Sequence, residues 1–192
     1  MTDFIEVYEN ILSDSLCERI IEKHKQIQES CASSFNREAL HYGAEYYGGS
    51  RTRKDIAIYF EVSAPDLNEE INARLQKPLE DYLDKHPGLD MIPLMSDCVK
   101  VQETKRGGGF HLWHNEIGPG RESRRVLNWA IYLNDTVEGE GTTEFIEQGI
   151  KVQPKQGTLV FFPADWTHTH RGNPVYNCTK YLATGWFHRV DV

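Results

Sequence analysis

The chain has 192 residues, 39% of them hydrophobic and 11% aromatic, which is enough for one sizeable core, so we expect a single domain. Lysine and arginine number 21 against 29 aspartate and glutamate residues, giving a net charge of −8. This balance argues against binding to phosphate backbones or anionic lipids. No apolar stretch approaches the roughly 20 residues that a membrane span needs. Neither a nucleic acid nor a membrane is therefore an expected partner.

Two helices are predicted in the first part of the chain. Ser13 or Ser15 can cap the first helix, whose apolar residues fall on one side: Leu16, Ile20, Ile21 and Ile27. The second helix is indicated by apolar residues at four-residue steps: Leu67, Ile71, Leu75, Leu79 and Leu83. Pro78 should kink this helix or begin a new turn, and the helices should end near Pro87. Between them, residues 35–54 lose any periodicity and are rich in glycine and tyrosine, which is typical of a mobile surface loop or of a lid over a substrate.

Short β-like runs separated by glycine, proline and asparagine follow in the second part of the chain. They are residues 98–102, 126–133, 142–146, 158–162 and 181–187. This spacing indicates antiparallel sheets folded as a barrel or a sandwich. We therefore expect a mainly β protein in which residues 1–90 supply helical support and a substrate loop, and residues 91–192 form the β-core with the metal site.

A group of metal-ligating residue types stands at the end of one β-run. On a strand, His114 and Glu116 would point to the same side, roughly 7 Å apart. A third ligand would come from a distant strand, where His168 and His170 are the candidates. Two histidines and one carboxylate leave adjacent positions open on an ion, as in non-haem Fe(II) oxygenases. His111 should face the opposite side of its strand and have a structural or substrate-side role.

The remaining unusual residues are basic, aromatic or cysteine. Lys180 precedes the apolar run 181–186, where a charge is costly unless it is paired, and a substrate carboxylate would supply the partner. Tryptophans 113, 129 and 166 are expected in the core, and Arg121, Arg124 and Arg125 in a solvated loop. The four cysteines form no Cys-x-x-Cys pair, which favours neither a zinc ribbon nor a disulfide framework and fits a reducing cytoplasm.

Several motifs occur in a recognisable order. A glycine-rich, aromatic stretch at 107–113 leads into His114 and Glu116. It is followed by Ile131-Tyr132-Leu133-Asn134, Pro154-Lys155-Gln156-Gly157, His170-Arg171-Gly172-Asn173-Pro174-Val175 and Lys180. In this order the chain resembles the prolyl-hydroxylase-like branch of the iron and 2-oxoglutarate dioxygenases over residues 99–188, with a weaker similarity over residues 4–27.

The resemblance implies a double-stranded β-helix, or jelly-roll, core and a set of site residues. His114, Glu116 and His170 would bind Fe(II), and Lys180 would hold the far carboxylate of 2-oxoglutarate. His170 is preferred to His168 because it matches the spacing to Pro174-Val175 and Lys180. Dioxygen would oxidise 2-oxoglutarate to succinate and carbon dioxide while a carbon centre, by resemblance a prolyl residue of a peptide or protein, is hydroxylated. Ascorbate is an additional expected reductant.

The sequence departs from the family pattern at two positions. Glu116 stands where an aspartate is commoner, and Thr104 replaces a tyrosine that contacts 2-oxoglutarate, for which Tyr132 could compensate. Further candidate substrate contacts are Trp186, Tyr46, Tyr47 and Arg53. Two alternatives stay open: hydroxylation of a free amino acid, another small molecule or a nucleobase, and a cupin-like metal-binding module without turnover. Lys180 favours an enzyme, because a metal binder has no need of this cation.

Overall fold

A computed structural model describes residues 3–33, 55–96 and 98–190. The predicted loop at 35–54, with Tyr46, Tyr47 and Arg53, lies outside these residues. The helices are α1 (Asp14–Ser33), α2 (Phe60–Ser63), α3 (Pro65–Lys85) and α4 (Pro87–Asp90). The strands are β1 (Glu6–Tyr8), β2 (Ile56–Tyr59), β3 (Leu94–Met95), β4 (Lys100–Thr104), β5 (Phe110–His114), β6 (Arg125–Tyr132), β7 (Thr143–Phe145), β8 (Ile150–Val152), β9 (Leu159–Pro163), β10 (His170–Gly172) and β11 (Lys180–Arg189). Short 3-10 helices occupy Gly120–Arg124 and Trp166–His168.

Both predicted long helices are present. Helix α1 begins after Ser13, whose Oγ accepts a hydrogen bond from the amide of Leu16 at 3.3 Å, so the predicted cap is confirmed. Helix α3 continues through Pro78 to Lys85. The short helix α4 begins directly after His86 and ends at Asp90, so the helical part of the chain extends slightly beyond the predicted end near Pro87. The apolar side of each long helix is buried: Leu16 and Ile20 on α1, Leu67, Ile71 and Leu75 on α3.

Within the described residues, the strands form two antiparallel sheets. The larger has the order β1-β9-β6-β11-β4-β2, with β3 also paired to β11, and the smaller has the order β5-β10-β7-β8. The non-consecutive neighbours and the two facing sheets are those of a jelly roll. The predicted fold class is confirmed. Strand β6, buried from Leu127 to Tyr132, pairs with β9 on one side and with β11 on the other, which places it inside the larger sheet.

Two strands come from the part of the chain that was expected to be helical support. Strand β1 pairs with β9, and β2 pairs with β4 at the edge of the larger sheet. The run Ile56–Tyr59 has four residues, which is too short to show a clear period in sequence. Its strand conformation is decided by the ladder to β4, a partner about 45 residues away in the chain.

The hydrophobic core has two parts. The larger lies between the helices and the larger sheet and includes the fully buried Ile20, Leu75, Trp129 and Phe161. The smaller lies between the sheets and is made by Tyr132, Phe145, Val152, Val160 and Phe162. Burial of each large side chain stabilises the fold by about 1.5–3 kcal/mol. Trp129 is in the core as predicted, whereas Trp166 is 74% exposed, so its predicted core position is wrong.

Among the described residues, no helix combines the length and the apolar character needed to cross a bilayer.

Candidate active site

Strand pairing brings two histidines together. His114 is the last residue of β5 and His170 is the first of β10, and the two are directly opposite each other in the antiparallel pair. Opposite residues in such a pair point to the same face of the sheet. Their ring centroids are 4.4 Å apart. Phe162, on β9, packs against the ring of His170 with a centroid distance of 4.7 Å, so the histidine pair is supported from the inter-sheet core.

Glu116 completes the cluster from a loop. It lies two residues beyond the end of β5, so the predicted strand alternation does not place it. Its amide donates to the carbonyl oxygen of Ala164 at 2.9 Å, and its own carbonyl accepts from Nη1 of Arg125 at 2.8 Å. Held this way, Oε1 of Glu116 lies 3.3 Å from Nε2 of His170 and 3.7 Å from Nε2 of His114.

The ring nitrogens of both histidines have distinct partners. Nδ1 of His114 donates to the carbonyl of Leu112 at 2.9 Å, and Nδ1 of His170 donates to the carbonyl of His168 at 3.0 Å. A carbonyl oxygen only accepts, so Nδ1 carries the proton in each ring. Nε2 of each ring is then the atom that faces the carboxylate. Backbone carbonyls commonly fix metal-binding histidines in this way.

The charge states of the cluster suit a divalent cation. Burial and the neighbouring His170 lower the pKa of His114 to about 3, so this imidazole is neutral at physiological pH. Burial raises the pKa of Glu116, but its close contact with His170 and the positive charge of Lys100 lower it more, and the net pKa lies well below its usual range. Neutral imidazole and ionised carboxylate are the forms that ligate a metal. The donor set of two imidazole nitrogens and one carboxylate fits Fe(II).

The other histidines near the cluster have different surroundings. His168 lies in the 3-10 helix Trp166–His168, and its Nε2 donates to the carbonyl of Asp3 at 2.7 Å. His111 precedes His114 by three residues on β5 and is not part of the cluster. In the described parts of the chain, no other group of histidine, cysteine and acidic side chains comes together as His114, Glu116 and His170 do.

The cluster opens into a cavity of about 870 Å³ that also contains a buried lysine. Lys180 is 6% exposed, and burial lowers its pKa to about 8. Its Nζ donates to the carbonyl oxygen of Gly141 at 2.6 Å and lies 5.2 Å from the centre of the Tyr132 ring. Within the residues that the structure describes, no acidic side chain pairs with this ammonium group. An anion that enters the cavity would therefore meet a buried cation.

Thr104 and Tyr132 both lie beside Lys180. Thr104 is its direct partner across the β4–β11 ladder and lines the cavity. Tyr132 is fully buried, and its hydroxyl donates to Oγ1 of Thr143 at 2.7 Å. The contact of Tyr132 with Lys180 is through the ring. The predicted contacts of Thr104 and Tyr132 with 2-oxoglutarate stay predictions.

Three residues near the cluster have positions or contacts that the sequence analysis did not predict. Trp186, one of the proposed substrate contacts, donates from Nε1 to Oε2 of Glu116 at 2.9 Å. The guanidinium carbon of Arg125 lies 3.7 Å from the centre of the Trp186 ring, so the solvated loop predicted for Arg125 is wrong. Lys100 lines the cavity and is buried. Lys100 stands in the apolar run 98–101. The rule that a lysine in an apolar run is costly unless its charge is paired, applied above to Lys180, would also have singled out Lys100 from the sequence.

Residues 99–188 match the family model of the 2OG-Fe(II) oxygenase superfamily. We call this part of the chain, which is just under half of its length, the oxygenase segment. It contains His114, Glu116, His170 and Lys180, so the oxygenase segment and the observed cluster coincide. Iron, 2-oxoglutarate and dioxygen are the cofactor and cosubstrates of the family.

Curated relatives of the oxygenase segment are prolyl 4-hydroxylase subunits. Prolyl 4-hydroxylase subunit alpha-1 of Gallus gallus is 36% identical over 80 residues, which cover 38% of this chain and 15% of the relative. The Homo sapiens subunit is 34% identical over 80 residues, covering 38% of this chain and 14% of the relative. The chain thus matches about one seventh of the length of these relatives.

Solved structures of prolyl hydroxylases share the fold. The viral collagen prolyl hydroxylase vCPH from Paramecium Bursaria Chlorella virus-1, in its 2OG complex, has a TM-score of 0.66 at 20% identity and covers 97% of each chain. A Trichoplax adhaerens prolyl hydroxylase with a hypoxia inducible factor oxygen degradation domain peptide fragment has a TM-score of 0.72 at 18% identity, covering 98% of this chain and 84% of the other. A Pseudomonas putida prolyl-4-hydroxylase has a TM-score of 0.68 at 16% identity, covering 99% and 95%.

Proposed function

We propose that this chain is an Fe(II)- and 2-oxoglutarate-dependent dioxygenase that hydroxylates prolyl residues of a peptide or protein. The supporting observation is that two imidazole nitrogens and a carboxylate oxygen form one cluster, and that a buried ammonium group lines the same cavity. In this proposal His114, Glu116 and His170 hold Fe(II), and Lys180 pairs with the far carboxylate of 2-oxoglutarate. The whole chain, residues 1–192, acts as one oxygenase domain.

Each residue has a distinct task in the proposed reaction. Bound Fe(II), with 2-oxoglutarate and dioxygen, supplies the oxidising chemistry that yields succinate, carbon dioxide and a hydroxylated carbon. His114 and Glu116 are in their metal-binding protonation states at neutral pH. Lys180, with a pKa of about 8, is mostly protonated at neutral pH and can donate a charge-assisted hydrogen bond to a carboxylate. Its burial limits competition from bulk water.

A peptide substrate is favoured by the relatives and by the cavity's edge. The curated relatives are named as prolyl 4-hydroxylase subunits, and one structural neighbour carries a peptide fragment. Leu112 and Ile117 line the cavity and are partly exposed, so they offer an apolar rim for a pyrrolidine ring and its neighbours. Trp186, Tyr46, Tyr47 and Arg53 remain predicted substrate contacts, and the reducing cytoplasm remains the predicted location.

The test is a coupled assay on the purified full chain. Protein loaded anaerobically with Fe(II) is mixed with 2-oxoglutarate, air-saturated buffer with ascorbate, and a panel of proline-containing peptides. Succinate release and the addition of one oxygen atom to the peptide are both measured. We expect succinate release to be stimulated by a peptide that becomes hydroxylated at proline. The matched control peptide has alanine in place of that proline and should remain unmodified.

The other arms of the assay separate the alternatives. Stimulation by a free amino acid, another small molecule or a nucleobase, without peptide hydroxylation, would replace the prolyl substrate by that compound. Iron binding without succinate release under any condition would instead indicate a metal-binding module. His170→Ala serves as the enzyme control, because it removes one imidazole from the cluster and should abolish both signals.

A further inference from the structure

The two carboxylate oxygens of Glu116 have different surroundings. Oε1 faces the histidines, 3.3 Å from Nε2 of His170 and 3.7 Å from Nε2 of His114. Oε2 instead accepts a hydrogen bond from the indole nitrogen of Trp186 at 2.9 Å. An indole nitrogen has one hydrogen and can only donate. The hydrogen bond therefore occupies one oxygen and leaves the other as the one that faces the imidazoles.

Trp186 is itself held in place. The guanidinium carbon of Arg125 lies 3.7 Å from the centre of its ring, within the range of a strong cation–π contact. Nη1 of Arg125 donates to the backbone carbonyl of Glu116 at 2.8 Å, and Nη2 donates to Glu122 at 3.4 Å. One arginine thus binds the backbone of Glu116 and also supports the ring that binds its carboxylate. Trp186 is 5% exposed, so this hydrogen bond is largely shielded from bulk water.

A glutamate needs this support more than a shorter acid would. Its side chain has one more rotatable bond than aspartate, and holding it in one conformation costs more rotamer entropy. Glu116 also lies beyond the last residue of β5, so no strand ladder fixes its orientation. A hydrogen bond at the far oxygen and another at the backbone carbonyl restrict both ends of the residue.

We propose that Trp186 is a positioning residue that, supported by Arg125, presents Oε1 of Glu116 to the metal and keeps Oε2 away from it. This inference rests on the proposed function and deepens it, since it assigns to this pair the task of making a glutamate serve in the metal site. Trp186 acts through Glu116 and need not touch the substrate.

The test is anaerobic titration of the full chain with Fe(II) alone. Trp186→Phe removes the N–H donor and keeps an aromatic ring for Arg125, and we expect Fe(II) to bind about 10- to 100-fold more weakly, the usual effect of losing such a supporting group. Trp113→Phe is the matched control, because its ring also stacks on an arginine, with the Arg171 guanidinium carbon 4.3 Å from the ring centre, but it does not contact Glu116. That variant should bind Fe(II) within about twofold of the parent.

A second readout separates positioning from general stability. The visible absorption of bound Co(II) reports its coordination, and it should change in Trp186→Phe, because the freed Oε2 can then reach the ion, but not in Trp113→Phe. In a double-mutant cycle, Trp186→Phe should have a smaller effect in the Glu116→Asp background, because a side chain shorter by one methylene should lose the hydrogen bond that Glu116 accepts from the indole. Arg125→Met removes the cation from the Trp186 ring and also the ion pair of Nη1 with Oε2 of Glu116 at 3.7 Å, while Lys100 still lies 4.7 Å from the ring centre; it should weaken Fe(II) binding in the same direction.

The outcomes also distinguish this inference from the proposed function. If the parent chain fails to bind Fe(II), the proposed metal site is wrong. If the parent binds Fe(II) and Trp186→Phe or, should that variant not fold, Arg125→Met binds it equally well with an unchanged Co(II) spectrum, the metal site stands and the positioning role is refuted. An equal effect of Trp186→Phe in both backgrounds of the cycle would refute it too.

Discussion

Replacing Lys180 with methionine should make the free protein more stable and its cosubstrate binding weaker. Burial lowers the pKa of Lys180 from 10.5 to about 8. Because the folded pKa is below the unfolded one, the unfolded chain binds more protons between those values. Stability therefore rises with pH across the window from about 8 to 10.5, and the destabilisation by Lys180 is present in full below pH 8.

The magnitude follows from the pKa and the contacts. The lowered pKa corresponds to about 3 kcal/mol of destabilisation at neutral pH. The contacts with Gly141 and the Tyr132 ring are already contained in that pKa, but methionine leaves the buried carbonyl of Gly141 without its donor, which offsets about 2 kcal/mol. Lys180→Met should thus raise the free energy of unfolding by about 1 kcal/mol at pH 7. Loss of a charge-assisted hydrogen bond worth about 1.5–3 kcal/mol should weaken 2-oxoglutarate binding about 10- to 150-fold.

Two measurements check both halves of this prediction. Urea denaturation of the metal-free proteins at pH 7 gives the stability difference, and calorimetric titration of 2-oxoglutarate into protein saturated with Mn(II), which avoids turnover, gives the dissociation constant. For the parent, affinity should be constant below about pH 8 and fall about tenfold per pH unit above it, because binding then requires uptake of a proton by Lys180. Lys180→Arg is the matched control, since its guanidinium stays charged and its affinity should not change in this range.

The reasoning about Lys180 would be refuted in either of two ways. Unchanged 2-oxoglutarate affinity in Lys180→Met would mean that another group binds the far carboxylate. A clear loss of stability in the same variant below pH 8 would mean that the ammonium group stabilises the fold. Its burial would then be no argument for a ligand-binding role.

Three further predictions concern the metal cluster and the sheet that supports it. Glu116→Ala should abolish succinate release and weaken Fe(II) binding, whereas Glu116→Asp should retain part of both; equal behaviour of the two variants would show that another group completes the site. His170→Gln should lose Fe(II) binding in an anaerobic titration, while His168→Gln, which loses the hydrogen bond to Asp3, should keep it and lose about 1 kcal/mol of stability by denaturation; the reverse result would exchange their roles. Gly185→Ala would place a Cβ in collision with the carbonyl oxygen of Cys98 and the Trp129 ring, so thermal unfolding should show a loss of about 1–3 kcal/mol, and an unchanged melting temperature would contradict this packing.

Much of the architecture was predictable because it depends on local patterns. The four-residue steps in α3 and the serine cap of α1 are short-range signals, and both helices are present. The β-runs were recognisable from apolar residues separated by turn residues, and each corresponds to an observed strand within a few positions. The edge strand β2 was missed because its conformation depends on pairing with β4 rather than on its own four residues.

The candidate site was predictable in part, for a different reason. The motif order selected His114, Glu116, His170 and Lys180, and the structure places all four around one cavity. The geometric argument for Glu116 was wrong, since β5 ends at His114 and the carboxylate reaches the histidines through loop contacts. Arg125 and Trp186 could not be assigned to Glu116 from sequence, because the three meet only after β6, β11 and the loop beyond β5 have come together.

The sequence by itself determined which residue types are available, where the helices and strands lie, and which histidines and acid belong to the oxygenase pattern. Only the tertiary structure decided that His114 and His170 stand opposite each other across β5 and β10, and that a tryptophan binds one oxygen of Glu116 while the other faces the imidazoles. The physical reason is that local propensity acts over a few residues, whereas the register of antiparallel strands, and with it the meeting of distant side chains, is set by burial of the whole sheet.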